Sequence, residues 1–324
     1  MANLSTQVNR FEKMSPLSLA ISIVKIARPV HWVKNLALFA ALIFSGNLVD
    51  ANLFLKTCFA FLVFSLATSA TYIFNDIMDV DSDRIHPIKK NRPLAAGTIP
   101  LSLAFAVSIV FAIISLYWSL AFGLMFFLLT ASYIAIQIAY SLGLKNIAVI
   151  DILIIAMGFI IRVYAGAFVI NTHLSVWFLL CIISAALFLA SGKRRSELNI
   201  VEKAGITRKS LTKYSRELLN SYVTMFGNAA WMSWALFTFF ESPRASQNVW
   251  LFLAELSRTT TIDKLLMVTI PVVIFGIMRY ESLIFEGKSE APEKIILTDK
   301  SLIASIAIWI TLVTWILYSG VSAS

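Results

Sequence analysis

Residues 148–170 read AVIDILIIAMGFIIRVYAGAFVI, an uninterrupted apolar run that carries only two charged side chains, Asp151 and Arg162. A helix needs about 20 mostly apolar residues to cross the hydrocarbon core of a bilayer, so this run is long enough to span it. The run does not alternate between apolar and polar residues, as a strand of a membrane barrel does. A helix is therefore the predicted structure, because only helices and closed barrels satisfy their backbone hydrogen bonds in lipid.

The composition of the whole chain agrees with this prediction. Of the 324 residues, 59% are apolar and only 14% are charged, whereas soluble domains keep about a quarter of their residues charged. Nine stretches have the length and apolar character of a span: residues 19–44, 52–74, 100–117, 120–140, 148–170, 174–191, 219–240, 262–278 and 301–319. An ordinary soluble enzyme is excluded, and we predict an all-α polytopic membrane protein with about nine transmembrane helices.

The basic residues are distributed unevenly between the two sides of such a bundle. With a cytoplasmic amino terminus, only Lys56, Arg244, Arg258 and Lys264 fall on the outer side, although the chain has 27 Lys and Arg residues. Cytoplasmic loops carry an excess of basic residues, so we predict a protein of the cell (inner) membrane with its amino terminus inside and its carboxyl terminus outside. The net charge of +9 then reflects this rule rather than binding of nucleic acid.

The predicted organisation is a cytoplasmic tail at residues 1–18, followed by a single transmembrane catalytic domain at residues 19–320. The tail contains no apolar core of signal-peptide length. Four predicted cytoplasmic loops collect polar side chains, and they are residues 75–99, 141–147, 192–218 and 279–300. We therefore expect a polar cavity that faces the cytoplasm.

The most informative polar stretch, residues 75–97, begins with regularly spaced aspartates. In NDIMDVDSD, Asp76, Asp79 and Asp83 are spaced i, i+3 and i+7, which places them within about 60° of one face if the second span continues through them as a helix. Carboxylates this close repel one another, and a hard divalent cation relieves the repulsion. Mg²⁺ favours one or two carboxylates together with substrate phosphate oxygens, so we predict Mg²⁺ carrying a diphosphate. The alternative is a solvated acidic loop with a helix cap at Asn75.

A basic segment follows the aspartates directly, and it favours the phosphate site over that alternative. Lys89, Lys90 and Arg92 can donate hydrogen bonds to phosphoryl oxygens, and an arginine can bind two oxygens at once.

These segments together resemble the first signature of the UbiA-type intramembrane prenyltransferase superfamily, whose members have about nine transmembrane helices and use Mg²⁺. Within that superfamily the chain is similar to the decaprenyl-phosphate phosphoribosyltransferase branch. The segments that carry the similarity are ARPVHWVKN at 27–35, HPIKKNRPLAAG at 86–97, YSLGLK at 140–145, GKRRSEL at 192–198 and PEKIILTD at 292–299.

One departure from the superfamily pattern bears on the substrate. Members that use prenyl diphosphates usually carry a second DxxxD motif on the fifth helix, whereas here Asp151 is followed four positions later by Ile155. The resemblance therefore implies that the diphosphate belongs to a soluble donor, 5-phosphoribosyl 1-diphosphate, and that a polyprenyl phosphate is the acceptor. The implied reaction transfers 5-phosphoribose to the lipid for a cell-envelope glycan precursor.

The motifs and the resemblance together assign roles to individual residues. The catalytic set is Asp76, Asp79 and Asp83, all three on the metal, with Lys145 on a phosphate and Asp151 on the metal or a ribose hydroxyl. The substrate-binding set is Arg28, Lys34, Asn75, Lys89, Arg92, Tyr140, Arg162, Lys193, Arg194 and Arg195. For Lys193, Arg194 and Arg195 the alternative is binding of anionic lipid headgroups.

Two further placements follow from helical geometry. Arg162 is expected on the same face as Asp151, roughly 16 Å deeper. Because a lone charge near mid-bilayer costs roughly 2.5 to 3.5 kcal/mol, Arg162 should face a polar cavity or pair with an acid, the alternative being a structural ion pair. In the first span, Arg28, His31 and Asn35 are expected to share a face, with Lys34 offset.

A lipid phosphate is already an anion near neutral pH, so the implied reaction needs no strong general base. Two other functions remain open: prenyl transfer from a prenyl diphosphate to an aromatic acceptor, and transport of an anion. The expected partners are polyprenyl phosphate, 5-phosphoribosyl 1-diphosphate and membrane lipids, without nucleic acid, and a homo-oligomer is left open.

Overall fold

The computed structural model of the chain describes residues 16–85, 89–204, 213–241, 262–286 and 298–319. The α-helices in these ranges are α1 Pro16–Ala27, α2 Phe39–Phe44, α3 Ala51–Met78, α4 Val80–Ile85, α5 Leu101–Ser119, α6 Leu124–Leu142, α7 Ile150–Val169, α8 Val176–Ala204, α9 Arg216–Phe240, α10 Ile270–Phe285 and α11 Lys300–Tyr318. Shorter 3₁₀ segments are Pro29–Leu38, Lys89–Asn91, Leu120–Phe122, Leu144–Asn146 and Ile262–Thr269.

Seven helical stretches of the described chain are long and apolar enough to cross a membrane. They are Ala51–Met78, Leu101–Phe122, Leu124–Leu142, Ile150–Val169, Val176–Asn199, Lys264–Phe285 and Lys300–Tyr318. They confirm an all-α, polytopic architecture. Helix α9 is 25 residues long, but Asn220, Ser221 and Asn228 lower its hydropathy, so it is not among the seven. The number of nine spans therefore stays a prediction. The single domain, the side of the membrane that the cavity faces and the sides on which the termini lie also stay predictions.

The first predicted span, residues 19–44, is broken, so the expectation of one continuous helix there was wrong. Helix α1 ends at Ala27, Arg28 adopts a left-handed backbone with φ 52° and ψ 59°, and the 3₁₀ segment Pro29–Leu38 follows. Pro29 explains the break, because proline disfavours the right-handed helical conformation at the preceding residue and lacks an N–H group.

The predicted loop 192–218 is helical over its first part, because α8 continues to Ala204. The helical part of the segment is rich in Lys, Arg and Glu, which are good helix formers, and Arg194 and Arg195 are buried in the bundle. Charge alone therefore placed the end of the sixth span too early.

The loops predicted at 75–99 and 279–300 also begin inside helices. Helix α3 reaches Met78 and α10 reaches Phe285, so each span extends beyond its apolar core. Residues 86–88 and 287–297 lie outside the described residues, and with them His86, Pro87 and most of the segment PEKIILTD.

Helix α7 is the most enclosed of the seven candidate spans, and it contacts α6, α8, α2 and the segment Pro29–Leu38. Its closest approach is at Gly166, where a Cβ atom would lie 1.9 Å from the carbonyl oxygen of Leu38. Only glycine allows the 3₁₀ segment to lie against α7 at this distance. This position of α7 places Asp151 and Arg162 in the interior of the bundle.

Candidate active site

Two of the predicted metal ligands contact the same arginine, Arg92. They are Asp76, near the end of α3, and Asp83, in α4. Asp76 is buried and accepts hydrogen bonds from Nη2 of Arg28 at 2.5 Å and from Nη1 of Arg92 at 3.2 Å. The same Nη1 of Arg92 donates to Oδ2 of buried Asp83 at 2.6 Å. A single cationic nitrogen therefore lies between the two carboxylates.

The third predicted ligand, Asp79, has different partners. Its carboxylate pairs with Nζ of Lys145 and accepts a hydrogen bond from Nδ2 of Asn75 at 3.1 Å. The hydroxyl of Ser141 donates to Oδ1 of the same Asn75. Helix α3 ends at Met78, and the residue that caps it, Asp79, has φ −97° and ψ 2°. The predicted continuous helix is therefore interrupted, and Asp79 is directed to the connection between α6 and α7.

No three Asp, Glu, His or Cys side chains of the described ranges surround a common point. Asp76 and Asp83 nevertheless fit a hard divalent ion, because Mg²⁺ needs only one or two protein carboxylates when substrate oxygens and water complete its coordination. The position between them already suits a positive group, since Nη1 of Arg92 lies there. The metal roles of Asp76, Asp79 and Asp83 all stay predictions.

Asp151 lies at the start of α7, fully buried, with Arg194 of α8 as its counterion. Nε of Arg194 is 2.6 Å from Oδ2 of Asp151, a charge contact without the alignment of a hydrogen bond. Arg194 also pairs with Glu197 and donates to the hydroxyl of Tyr140 at 2.6 Å. The Arg194 side chain is completely enclosed and its described contacts are with protein groups, and its predicted role in binding a phosphate or a lipid headgroup stays a prediction.

Tyr214 holds Asp151 from a second side, and sequence reasoning missed it. Its hydroxyl donates to Oδ1 of Asp151 at 2.7 Å and accepts the backbone N–H of Val149. Val149 has φ 70° and ψ −48°, a region that β-branched residues rarely occupy. Burial, above all, raises the pKa of the Tyr214 phenol above its ordinary value, so this group stays a hydrogen-bond donor to Asp151.

Arg162 lies buried within α7 among neutral partners. It donates to Oδ1 of Asn35 at 2.7 Å, to the carbonyl oxygen of Gly158 at 2.6 Å and to the hydroxyl of Tyr133 at 2.9 Å. Its guanidinium carbon lies 4.9 Å from the ring centroid of Tyr133. The expected polar surroundings are present, and within the described part of the chain no carboxylate pairs with Arg162.

Three further basic residues of the predicted substrate set lie on α8 and on the segment Lys89–Asn91. Arg195 donates to Oδ1 of Asn220 at 2.6 Å and also to Asn199, so it packs towards α9. Lys193 is half-buried in α8, and Lys89 opens the short segment Lys89–Asn91 that leads to Arg92.

Comparison with known families decides the affiliation of the chain. The model of the UbiA prenyltransferase family matches residues 36–242, more than half of the chain. The chain belongs to the UbiA prenyltransferase family. It is similar to the decaprenyl-phosphate phosphoribosyltransferase of Mycolicibacterium smegmatis, with 37% identity over 302 residues that cover 91% of this chain and 92% of the relative. The enzyme of the same name from Corynebacterium glutamicum is 34% identical over 316 residues, which cover 95% and 90% of the two chains.

The fold is also that of solved UbiA structures. A UbiA homolog from Archaeoglobus fulgidus bound to GPP and Mg²⁺ superimposes with a TM-score of 0.64 and 18% identity, covering 91% of this chain and 97% of that chain. At this level of identity the likeness establishes the UbiA fold. The resemblance stated from the sequence motifs is thereby confirmed.

Proposed function

We propose that this UbiA-family protein transfers 5-phosphoribose from 5-phosphoribosyl 1-diphosphate to a long-chain polyprenyl phosphate in the cell membrane and releases diphosphate in a Mg²⁺-dependent reaction. The observation that carries the proposal is the convergence of Asp76 and Asp83 on one cationic nitrogen of Arg92. The names of the relatives that match nine tenths of both chains support the choice of donor and acceptor.

The ion pairs of the site would allow its arginines to exchange carboxylate partners for phosphoryl oxygens when substrate binds. Asp76, Asp83 and Asp79 are balanced by Arg28, Arg92 and Lys145. When bound, Mg²⁺ would neutralise the charge that develops on the departing diphosphate. Asp76 and Asp83 would hold the ion, and Arg28 and Arg92 would then donate to phosphoryl oxygens instead of carboxylates.

The proposed step forms one bond and breaks one. An oxygen of the lipid phosphate bonds to the anomeric carbon of the donor, while the bond from that carbon to the diphosphate oxygen breaks and its electron pair leaves with the diphosphate. The acceptor is already an anion, so no side chain has to remove a proton. The protein contributes by holding two anions against each other and screening their repulsion.

Asp151 and Arg194 support this site as positioning residues, since both are enclosed and bound to each other. They connect α7 to α8, and Tyr140 links the same pair to α6. The connection between α6 and α7 carries Lys145, which pairs with Asp79. The product would be a lipid-linked sugar phosphate, which suits a precursor of a cell-envelope glycan.

The test is an assay of purified protein in detergent with Mg²⁺, polyprenyl phosphate and a donor labelled in its ribose. We expect label in the lipid fraction, and we expect Asp76→Asn to lower turnover by about 100-fold or more because a charge-stabilising group is lost. The matched control is Asp81→Asn, whose side chain is 90% exposed, and it should retain wild-type turnover.

Parallel incubations test the two other functions. A prenyl diphosphate with an aromatic acceptor should give no product, and proteoliposomes should show no anion flux without covalent transfer. A prenylated acceptor in place of labelled lipid would overturn the proposed function. Near-normal turnover of the Asp76→Asn variant would remove the metal assignment.

A further inference from the structure

The 3₁₀ segment Pro29–Leu38 sorts its side chains onto three faces, because a 3₁₀ helix has three residues per turn and residues i and i+3 eclipse. One face is apolar and exposed, with Val30 at 74%, Val33 at 44% and Leu36 at 52%. A second face is buried in the bundle and contains Asn35 and Leu38.

The third face is basic, and it carries His31 and Lys34 behind Arg28, which precedes the segment. The predicted common face of Arg28, His31 and Asn35 was therefore wrong. It assumed α-helical spacing, whereas the 3₁₀ spacing aligns Lys34 with His31 and turns Asn35 inward.

This basic face is gathered around the ring of Tyr72, one turn before Asp76 in α3. The ring centroids of His31 and Tyr72 are 4.9 Å apart. The guanidinium carbon of Arg28 and Nζ of Lys34 lie 5.8 and 5.9 Å from the Tyr72 centroid. Nζ of Lys34 also donates to the Tyr72 hydroxyl at 3.3 Å.

Arg28, which precedes the segment, joins this cluster to the acid pair. Arg28 has a left-handed backbone, which is uncommon for a residue other than glycine, asparagine or aspartate and is often retained at functional sites. From that position its guanidinium contacts both the Tyr72 ring and Asp76. Asp76 is shared with Arg92, so the cluster adds positive charge directly beside the proposed metal site.

We propose that Arg28, His31, Lys34 and the Tyr72 hydroxyl form a subsite for the phosphomonoester group of a lipid. The inference rests on the proposed function and locates its acceptor. A phosphomonoester is a compact dianion, and Arg28 and Lys34 are charge-assisted donors for its oxygens.

The apolar face of the same segment identifies the phosphate as that of a lipid. Val30, Val33 and Leu36 are exposed on the apolar helical stretch Pro29–Phe44, so this face suits contact with lipid. A phosphate bound on the basic face can therefore keep its apolar tail in the bilayer. A soluble donor gains nothing from such a face.

The experiment measures lipid binding without the donor, by native mass spectrometry of the full-length protein with a polyprenyl phosphate and with the matching polyprenol. Wild-type protein should retain the phosphate in preference to the alcohol. Lys34→Met should weaken retention of the phosphate roughly tenfold or more, because one charge-assisted hydrogen bond is lost. Lys34→Arg should restore part of it, and Lys25→Met, which removes an exposed lysine from α1, should behave as wild type.

Steady-state kinetics show whether the subsite binds the phosphate of the lipid or a phosphate of the soluble donor. For Lys34→Met we expect the KM of the lipid phosphate to rise by a similar factor and the KM of the donor to stay unchanged. Tyr72→Phe removes a single hydroxyl with little risk to folding, and it should show a smaller change of the same kind. A variant whose donor KM rises while lipid binding is retained would overturn the inference and leave the proposed function intact.

The same experiments distinguish failure of the proposed function from failure of the proposed lipid-phosphate subsite. If lipid phosphate binds through Lys34 but no ribosylated lipid forms in wild-type protein, the proposed function fails and the subsite is retained. If Lys34→Met and Lys25→Met bind the lipid phosphate equally well, the subsite is disproved.

Discussion

Replacing Arg194 with Met tests whether the enclosed cluster around Asp151 holds the site together. Both side chains of the pair are fully buried, and Arg194 also neutralises Glu197. Removing one partner of a buried ion pair costs about 3–5 kcal/mol, because the remaining charge has neither water nor a counterion. With an unfolding entropy of about 2.1 cal/mol/K per residue, the 324-residue chain should lose about 4–7 °C in Tm.

The assay is thermal unfolding in detergent, followed by intrinsic fluorescence, with Arg84→Met as the matched control. Arg84 also pairs with an aspartate, but the side chains of Arg84 and Asp81 are 46% and 90% exposed. Such a surface pair contributes at most about 1 kcal/mol, so its loss should move Tm by no more than about 2 °C. Adding Asp151→Asn to Arg194→Met should recover part of the loss, since it removes one uncompensated carboxylate. Equal shifts for Arg194→Met and Arg84→Met would refute this account of the cluster.

Three further predictions concern the metal site and the packing around it. With Mn²⁺ as a substitute for Mg²⁺, Asp83→Asn should weaken metal binding by roughly tenfold or more, as measured by electron paramagnetic resonance. Asp81→Asn should leave the affinity for Mn²⁺ unchanged. Equal affinities of the two variants would remove Asp83 from the site. Gly166→Ala should lower both Tm and transfer activity, because its Cβ would meet a backbone oxygen at 1.9 Å, whereas Gly276→Ala, whose nearest neighbour is 3.5 Å away, should leave both nearly unchanged. Tyr214→Phe should cost about 1–3 kcal/mol of stability, since the backbone N–H of Val149 and the buried Asp151 carboxylate both lose a partner; an unchanged melting curve would contradict that.

The sequence was sufficient to predict an all-α polytopic architecture, because the apolar length of a run is a property of a local window. It also indicated the pair of acids, since Asp76 and Asp83 are seven residues apart and stay close despite the interruption at Asp79. Pro29 is a visible signal of the break at Arg28. It was nevertheless included in the first predicted span, because its neighbours are apolar.

Other features of the site depend on contacts between distant residues. Asp79 pairs with Lys145 across 66 residues, and Tyr214 reaches Asp151 across 63. No local pattern marks either partner, because a tyrosine or lysine near a membrane surface is common. The burial of Arg194 likewise has no local signal, because it arises from packing of α8 against α7 and α9.

The most direct test of the proposed chemistry follows the oxygens of the acceptor. Polyprenyl phosphate labelled with ¹⁸O in its phosphoryl oxygens is incubated with 5-phosphoribosyl 1-diphosphate, Mg²⁺ and purified protein, and all products are analysed by mass spectrometry. If the lipid phosphate attacks the anomeric carbon, every label stays in the ribosylated lipid and the released diphosphate carries none. Label in free phosphate or diphosphate would contradict the account, and so would the absence of any lipid product that carries an added phosphoribosyl group.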